Sequence, residues 1–560
     1  MRIVVAIVLS GLFLMMLNGC TGDSPVSGAG GQTTNGITVS VVYPDGKAGS
    51  GLPVRVRQTD YLAEIGGIAE SSQQFAVDGM TDSSGVFVAD SLERGAYIVE
   101  VNDDNGFAVA TELRTPDPGG MVDMVTDTLT PTGIVRGCMP PEEQNGKVWY
   151  VQIYGLERCA VVDEFSGQFI FDDLPAGQYT FRKVSADSTL VPVAIDEVEV
   201  HSNDITVLSA YPAWRYTAKL LLNTTADGAD IAGDVADFPV LVRLTENNFP
   251  FAQASPTGRD IRFTRGDTLS LPYEIEHWDP VTELAEVWVL VDTIRGNDSM
   301  QSITMYWGNA DAVSRSNGAE VFDTATGFTG VWHLGESAGD AKDATGNGFN
   351  GSRAGDQKRT PGAIGYGQFF DGEGDYFEMG NAGNPDTAGF TVSAWVKAST
   401  KDGYRAILSK TYGDEPSSTY GWLVELGEDG ALAAFSATGA GEWGDARTFV
   451  SGSDTYITDT VSWHHVVAVF DRSGNSNCLL YIDGKESQSF RGGGDITSLG
   501  SIINSAPMRL GADAKGGCPW NGIIDECTFS FTVRSADWVK LCYMNQKTDD
   551  KLIFFHDNPK

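Results

Sequence analysis

Residues 368–397 read QFFDGEGDYFEMGNAGNPDTAGFTVSAWVK. Two apolar runs of strand type flank a cluster of Gly, Asn and Asp. Phe369-Phe370 leads into a polar hairpin at Asp371-Gly372. Phe390, Val392, Ala394 and Val396 alternate, as the buried face of a strand requires. Tyr376, Glu378, Thr391 and Ser393 mark slots expected to face outward. Trp395 shares the parity of Thr391 and Ser393, and is expected to cover the strand's second face.

Working outward, the chain of 560 residues is too long for one domain, and about 150 residues per domain suggests three or four. Its 41% hydrophobic residues and 66 glycines fit all-β domains with many tight turns. The net charge of -37 comes from 38 basic and 75 acidic residues. Such a surface repels phosphate backbones and excludes nucleic acid as an expected partner. It also leaves many carboxylates free for Ca²⁺, although a solvated surface accounts for most of them.

The chain opens with Met1-Arg2 and an apolar run from Ile3 to Leu17, too short to span a bilayer comfortably and suited to a signal peptide. Leu17-Asn18-Gly19-Cys20 resembles the bacterial lipobox, with Asn18 departing from the favoured residue. The resemblance implies lipidation of Cys20, a signal peptide over 1–20, and an exported protein anchored to the outer membrane by lipid alone. An ordinary secretion signal is the alternative. Residues 21–36 read as a flexible tether. Six cysteines remain. Cys138 and Cys159 lie in one small domain and are the expected disulfide; Cys478, Cys518, Cys527 and Cys542 could pair in three ways.

Residues 37–128 and 131–210 form an internal repeat. Gly85, Phe87, Asp90, Leu92, Gly95 and Tyr97 are answered by Gly167, Phe169, Asp172, Leu174, Gly177 and Tyr179, with an offset of 82 held through six positions. Gly85 and Gly167 are expected to make hairpin turns, after which the phenylalanines point inward. Both segments resemble the carboxypeptidase regulatory-like, immunoglobulin-type sandwich, usually a spacer.

Residues 211–325 carry Phe238-Pro239-Val240-Leu241-Val242, Asp260-Ile261-Arg262-Phe263, Leu271-Pro272-Tyr273-Glu274-Ile275-Glu276 and Tyr306-Trp307-Gly308-Asn309. These resemble the family DUF-2341, which implies a β-sandwich with no established activity. Residues 326–546 carry Val331-Trp332-His333-Leu334, Phe369 to Gly372, Phe390 to Lys397, Trp463-His464-His465, Leu480 to Lys485 and Asn521 to Glu526. This order resembles the laminin G-like, concanavalin A-like jelly roll, with Cys527 in place of the usual valine. A short helix from Ala536 to Met544 is expected to close it, with Trp538, Leu541 and Cys542 on one face. Residues 547–560 are a tail, charged except for Leu552 to Phe555. The expected fold class is therefore all-β: tandem Ig-like sandwiches, a sandwich of the DUF-2341 type and a concanavalin A-like jelly roll.

Catalytic motifs are weak. Gly335-Glu336-Ser337-Ala338-Gly339 matches a nucleophile elbow, but a glycine- and asparagine-rich loop follows it where a helix is needed. His464 and His465 point to opposite faces of a strand and cannot easily grip one ion. Glu274 and Glu276 share a strand face, yet lie outside the last domain. No catalytic dyad is expected. One structural calcium ion is expected, with Asp343, Asp371 and Asp525 beside the signature turns as candidate ligands. For sugar stacking the candidates are Trp443, Tyr412, Tyr420 and Trp520, all near turns.

The resulting expectation is a non-catalytic surface display or adhesion protein whose last domain binds polysaccharide or a cell-surface protein. Two alternatives stay open: a divergent glycoside hydrolase or lyase, and a structural envelope component.

Overall fold

The computed structural model describes residues 36–65, 76–116, 124–186, 192–400, 402–412, 420–439, 448–473, 478–487, 490–513 and 515–556. The apolar run at 3–17, Cys20, the tether and Trp443 lie outside the described residues. Among the described residues no helix is long and apolar enough to cross a membrane. The described residues form two compact units, one of 36–61, 76–116 and 124–131, the other of 62–65 and those from 132 onward.

The first unit is a sandwich. One sheet runs Val86–Ala89, Ile37–Val42, Met124–Thr128; the other runs Ala76–Met80, Pro53–Gln58, Ala96–Asn102, Phe107–Arg114, Thr130–Pro131. Val39, Val41, Val54, Val56, Tyr97, Val99 and Val101 alternate into its core. The second unit opens with a sandwich of the same plan. Gln168–Leu174, Gly133–Cys138 and Ile205–Val207 face Cys159–Val161, Trp149–Ile153, Gly177–Ser185 and Val193–Val200.

The repeat extends to hydrogen bonds. The Tyr97 hydroxyl donates to the Glu93 carbonyl at 2.8 Å, and the Tyr179 hydroxyl donates to the Pro175 carbonyl at 2.9 Å. Each is a tyrosine corner tying a strand to the turn four residues back. Gly85 and Gly167 sit at φ 77° and 69°, and a Cβ there would strike the Val41 or Met139 carbonyl. Only glycine fits such a turn.

The expected Cys138–Cys159 disulfide is not formed. Cys138 is buried on Gly133–Cys138, with its thiol toward the Ser166 carbonyl, while Cys159 is exposed on a strand of the opposite sheet. Sharing a domain did not bring the two thiols onto one sheet.

The third sandwich pairs a sheet ordered Leu269–Ser270, Arg262–Arg265, Ser302–Trp307, Tyr216–Leu222, Ile553–Phe555 with a sheet ordered Val235–Thr245, Leu284–Ile294, Tyr273–Asp279. The strand Ile553–Phe555 comes from the chain's last residues. The charged tail is thus no free extension: its apolar patch pairs with Tyr216–Leu222, a strand more than 300 residues earlier.

The fourth sandwich is the concanavalin A-like domain. One sheet is ordered Lys358–Pro361, Tyr366–Asp371, Asn521–Ser530, Phe390–Ala398, His464–Phe470, Cys478–Ile482, Lys485–Glu486, with Phe328–Trp332 also on Asn521–Ser530. The other is ordered Ser352–Ala354, Tyr376–Glu378, Arg509–Leu510, Arg405–Tyr412, Tyr420–Leu426, Ala431–Thr438, Thr448–Tyr456, Phe490–Gly493. Phe390, Val392, Ala394 and Val396 fill the core between them.

The opposite parity departs from expectation. Thr391 and Ser393 are 2% and 5% exposed, not outward slots. The first sheet is covered on both faces, because Phe328, Val331, Val467, Val469 and Tyr481 on its second face share one core with the third sandwich. Trp395 covers that second face, donating to Gln546 Oε1 at 2.8 Å and stacking on Tyr543 at 5.9 Å. Both partners belong to the helix Ala536–Gln546, capped by the Ser535 hydroxyl, which accepts from the Trp538 amide.

Candidate functional site

The Asp371–Asp375 hairpin gathers the hard oxygens of the domain. Carboxylate oxygens of Asp356, Asp371 and Asp375 lie within 4.8 Å of one another. Asp375 is buried and holds the arrangement together: its Oδ1 accepts the Asp356 amide at 2.9 Å and its Oδ2 accepts the Asp371 amide at 3.1 Å. Gly355, at φ 95°, lets the backbone pass, since a Cβ there would sit 2.1 Å from Asp375 Oδ1. Asp356 and Asp371 are exposed. Three carboxylate oxygens with open positions suit a calcium ion that completes its shell from water or a ligand hydroxyl.

Beside this cluster, the Arg509 guanidinium lies 4.5 Å over the Tyr376 ring and pairs with Glu378 at 3.2 Å. Tyr376, half-buried, is held against that guanidinium. Close by in the fold, the loop carrying Asp513 bears on Glu425. Burial, with the Asp513 charge second, pushes the Glu425 carboxyl up to about 7.

Of the expected calcium ligands only Asp371 belongs to this cluster. Asp343 spends both oxygens on its own loop and the strand before it: Oδ1 accepts from the Val331 and Thr345 amides and the Thr345 hydroxyl, and Oδ2 accepts the Phe349 amide. Asp525 is fully buried and accepts the Ile364 amide at 2.9 Å. Asp356 and Asp375 were missed, although Asp375 sits four residues after Asp371, at the far end of the same turn.

Among the expected stacking aromatics, Trp520 is fully buried in the core and has no face for a ligand. Tyr420 is 39% exposed and stands across from Tyr412 in the register. The strands ending at Tyr412 and Thr438 and those beginning at Tyr420 and Thr448 meet at one end of the sheet. Trp443 lies outside the described residues. Strand direction puts Asp375 at the other end. Phe377 and Leu408 both pair with Leu510, so Asp375 and Tyr412 lie some six residues apart along the strands, about 20 Å. Tyr412 and Tyr420 do not form one site with the aspartates.

The nucleophile-elbow segment carries no helix after Phe328–Trp332. His464 bonds Asp483 at 2.9 Å and Asp459 at 3.1 Å, while His465 is buried against Trp395 at 5.2 Å; the two do face opposite ways. Glu274 and Glu276 face the half-buried His333 rather than a cleft.

Residues 371–540 match the family model of the Concanavalin A-like lectin/glucanases superfamily, and residues 257–335 match the Domain of unknown function (DUF2341). No curated protein sequence matches the chain. Among solved structures, the binding domain of Paraclostridial Mosquitocidal Protein 1 is 16% identical with a TM-score of 0.30, over 39% of this chain and 52% of that one. The chain therefore spans about half of that relative's length. The Ruminococcus gnavus IT-sialidase CBM40 bound to alpha2,3 sialyllactose is 14% identical with a TM-score of 0.22, over 28% and 83%. Domain 4 of AbnA, a GH43 extracellular arabinanase from Geobacillus stearothermophilus, in complex with arabinotriose, is 18% identical with a TM-score of 0.26, over 38% and 97%.

Proposed function

We propose that the protein is a non-catalytic surface display protein whose concanavalin A-like domain binds carbohydrate at the Asp371–Asp375 rim. The observation that carries the reading is the match of residues 371–540 to a lectin/glucanase family model, on a sandwich whose signature hairpin gathers three aspartates. A calcium ion held by Asp356, Asp371 and Asp375 orders the hairpin and offers its open positions to paired sugar hydroxyls. Tyr376, fixed by Arg509, supplies the apolar face on which a sugar ring stacks. The leader and Cys20 fit export and lipid anchoring at the outer membrane, with the sandwiches between as spacers.

The test is a glycan array probed with residues 36–560, with calcium and with chelator, alongside Asp375→Asn and Tyr376→Ala. Calcium-dependent retention of a glycan, lost in both variants and without release of reducing ends, supports the reading. Turnover of the glycan, or binding indifferent to both substitutions, sinks it. A diacylglycerol mass on Cys20 in membrane fractions checks the anchor separately.

A further inference from the structure

His333 follows the strand Phe328–Trp332 and is surrounded by acids from two sandwiches. Its Nδ1 lies 2.9 Å from both carboxylate oxygens of Glu526 and 3.6 Å from Glu276 Oε2. Its Nε2 lies 3.2 Å from Glu274 Oε2. Glu276 and Glu274 come from Tyr273–Asp279 of the third sandwich, and Glu526 from Asn521–Ser530 of the fourth. All are enclosed: side-chain exposures are 12% for His333, 17% for Glu274, 6% for Glu276 and 4% for Glu526.

Charge is out of balance here. Three enclosed carboxylates converge on a single imidazole, and the buried carboxyl of Asp525 adjoins Glu526. The neighbouring cation, Arg243, gives its hydrogen bonds to the carbonyls of Asn545, Gln546 and Lys547 and acts on Glu276 and Glu526 only through space. Enclosing ionised carboxylates that outnumber their counter-charges costs several kcal/mol per ion. The surrounding backbone nonetheless makes room for them. A Cβ on Gly318 would lie 2.7 Å from both Glu274 oxygens, and one on Gly365 would lie 3.0 Å from Glu276 Oε1.

We propose that this pocket is a divalent transition-metal site of the zinc class, with His333 Nδ1 and one carboxylate oxygen each of Glu276 and Glu526 as ligands. These three atoms lie within 4.8 Å of one another. Ligands at about 2.1 Å in a tetrahedral shell stand roughly 3.4 Å apart, which the Nδ1 distances bracket. Two carboxylates neutralise the ion, and a nitrogen ligand selects a borderline metal over calcium. The outer groups agree with this assignment. With its Nε2–H given to Glu274, His333 would keep the Nδ1 lone pair for a metal, and Trp288 Nε1 donates to Glu276 Oε2 at 2.7 Å. Trp288 stacks on the imidazole at 5.9 Å and Phe322 leans on it at 5.5 Å, so the ring plane is set before any ion arrives. The ion bolts the third sandwich to the fourth, and its role is structural. It is independent of the sugar rim, which uses other residues.

The test uses residues 36–560 made without a histidine tag, stripped with chelator and titrated with zinc. Elemental analysis is expected to find one equivalent retained, with a raised unfolding midpoint. His333→Gln and Glu526→Gln lose that equivalent, whereas Asp375→Asn keeps it. A folded wild-type chain that retains no zinc and whose midpoint does not move overturns the proposal. So does a folded His333→Gln variant that still holds the equivalent. Should the variants fail to fold, X-ray absorption on the zinc-loaded wild type decides: one imidazole with oxygen ligands supports the site, and a shell lacking imidazole overturns it.

Discussion

Asn545 takes both backbone groups of Leu241. Its Oδ1 accepts the Leu241 amide at 2.8 Å and its Nδ2 donates to the Leu241 carbonyl at 3.0 Å. Leu241 lies on Val235–Thr245, the edge strand of its sheet, and Asn545 on the C-terminal helix. One side chain thus stands in for the next strand at an otherwise open edge. Arg243, two residues on, donates to the carbonyls that end the same helix, where the helix dipole is negative.

Replacing this side chain orphans two buried backbone groups. Asn545→Ala is therefore expected to cost about 2–4 kcal/mol, at one to two per group. Urea unfolding followed by tryptophan fluorescence reads the loss; a midpoint equal to that of wild type would refute the role given to Asn545.

The tail carries a second part of the same clasp. Leu552 is fully buried, its carbonyl accepts the Asn223 amide at 2.7 Å, and the strand Ile553–Phe555 follows it. Leu552→Ala is expected to destabilise by about 2–5 kcal/mol. Removing residues 551–560 costs more, and it opens the edge of Tyr216–Leu222 to self-association, visible by light scattering.

Glu425 sets a stability change near neutrality. Its folded carboxyl titrates at about 7, against an ordinary 4.5, because burial and the Asp513 charge disfavour ionisation. The fold thus holds the proton more tightly than the unfolded chain. No cost exists below pH 4.5; it grows as pH rises through 7 and is constant above, at about 3 kcal/mol. Glu425→Gln should leave stability at pH 4 unchanged and raise it at pH 8. Parallel pH profiles for variant and wild type would contradict this.

His465 acts on the acid side. It is 1% exposed, its Nδ1 has no hydrogen-bond partner among the described residues, and burial pushes it down to about 4. Its contribution is fully present above pH 6.5 and is lost as pH falls toward 4, by about 3 kcal/mol. His465→Gln removes that part of the acid limb. The check is the unfolding midpoint between pH 7 and 4; an unchanged acid limb in the variant would count against it.

Much of this architecture was legible from residues alone. Alternation at Phe390, Val392, Ala394 and Val396 encodes a two-residue period, and the offset of 82 encodes a repeated topology down to its tyrosine corners. Burial sign and turn chemistry are local properties, readable within a few residues. Hence the all-β class, the strand carrying Trp395 and the helix capped by Ser535 followed from the sequence. The partner of a surface is not local. Thr391 and Ser393 looked solvent-facing because small polar residues do not report what lies over them. Trp395 needed Tyr543 and Gln546, about 150 residues on, to define its role. The site around His333 draws on Glu274 and Glu526, 59 and 193 residues away, and no spacing rule spans such distances. Which strands exist was determined by the sequence; which faces meet, and so where charge is enclosed, was decided by tertiary packing, because periodicity specifies a face and only a second element specifies what it touches.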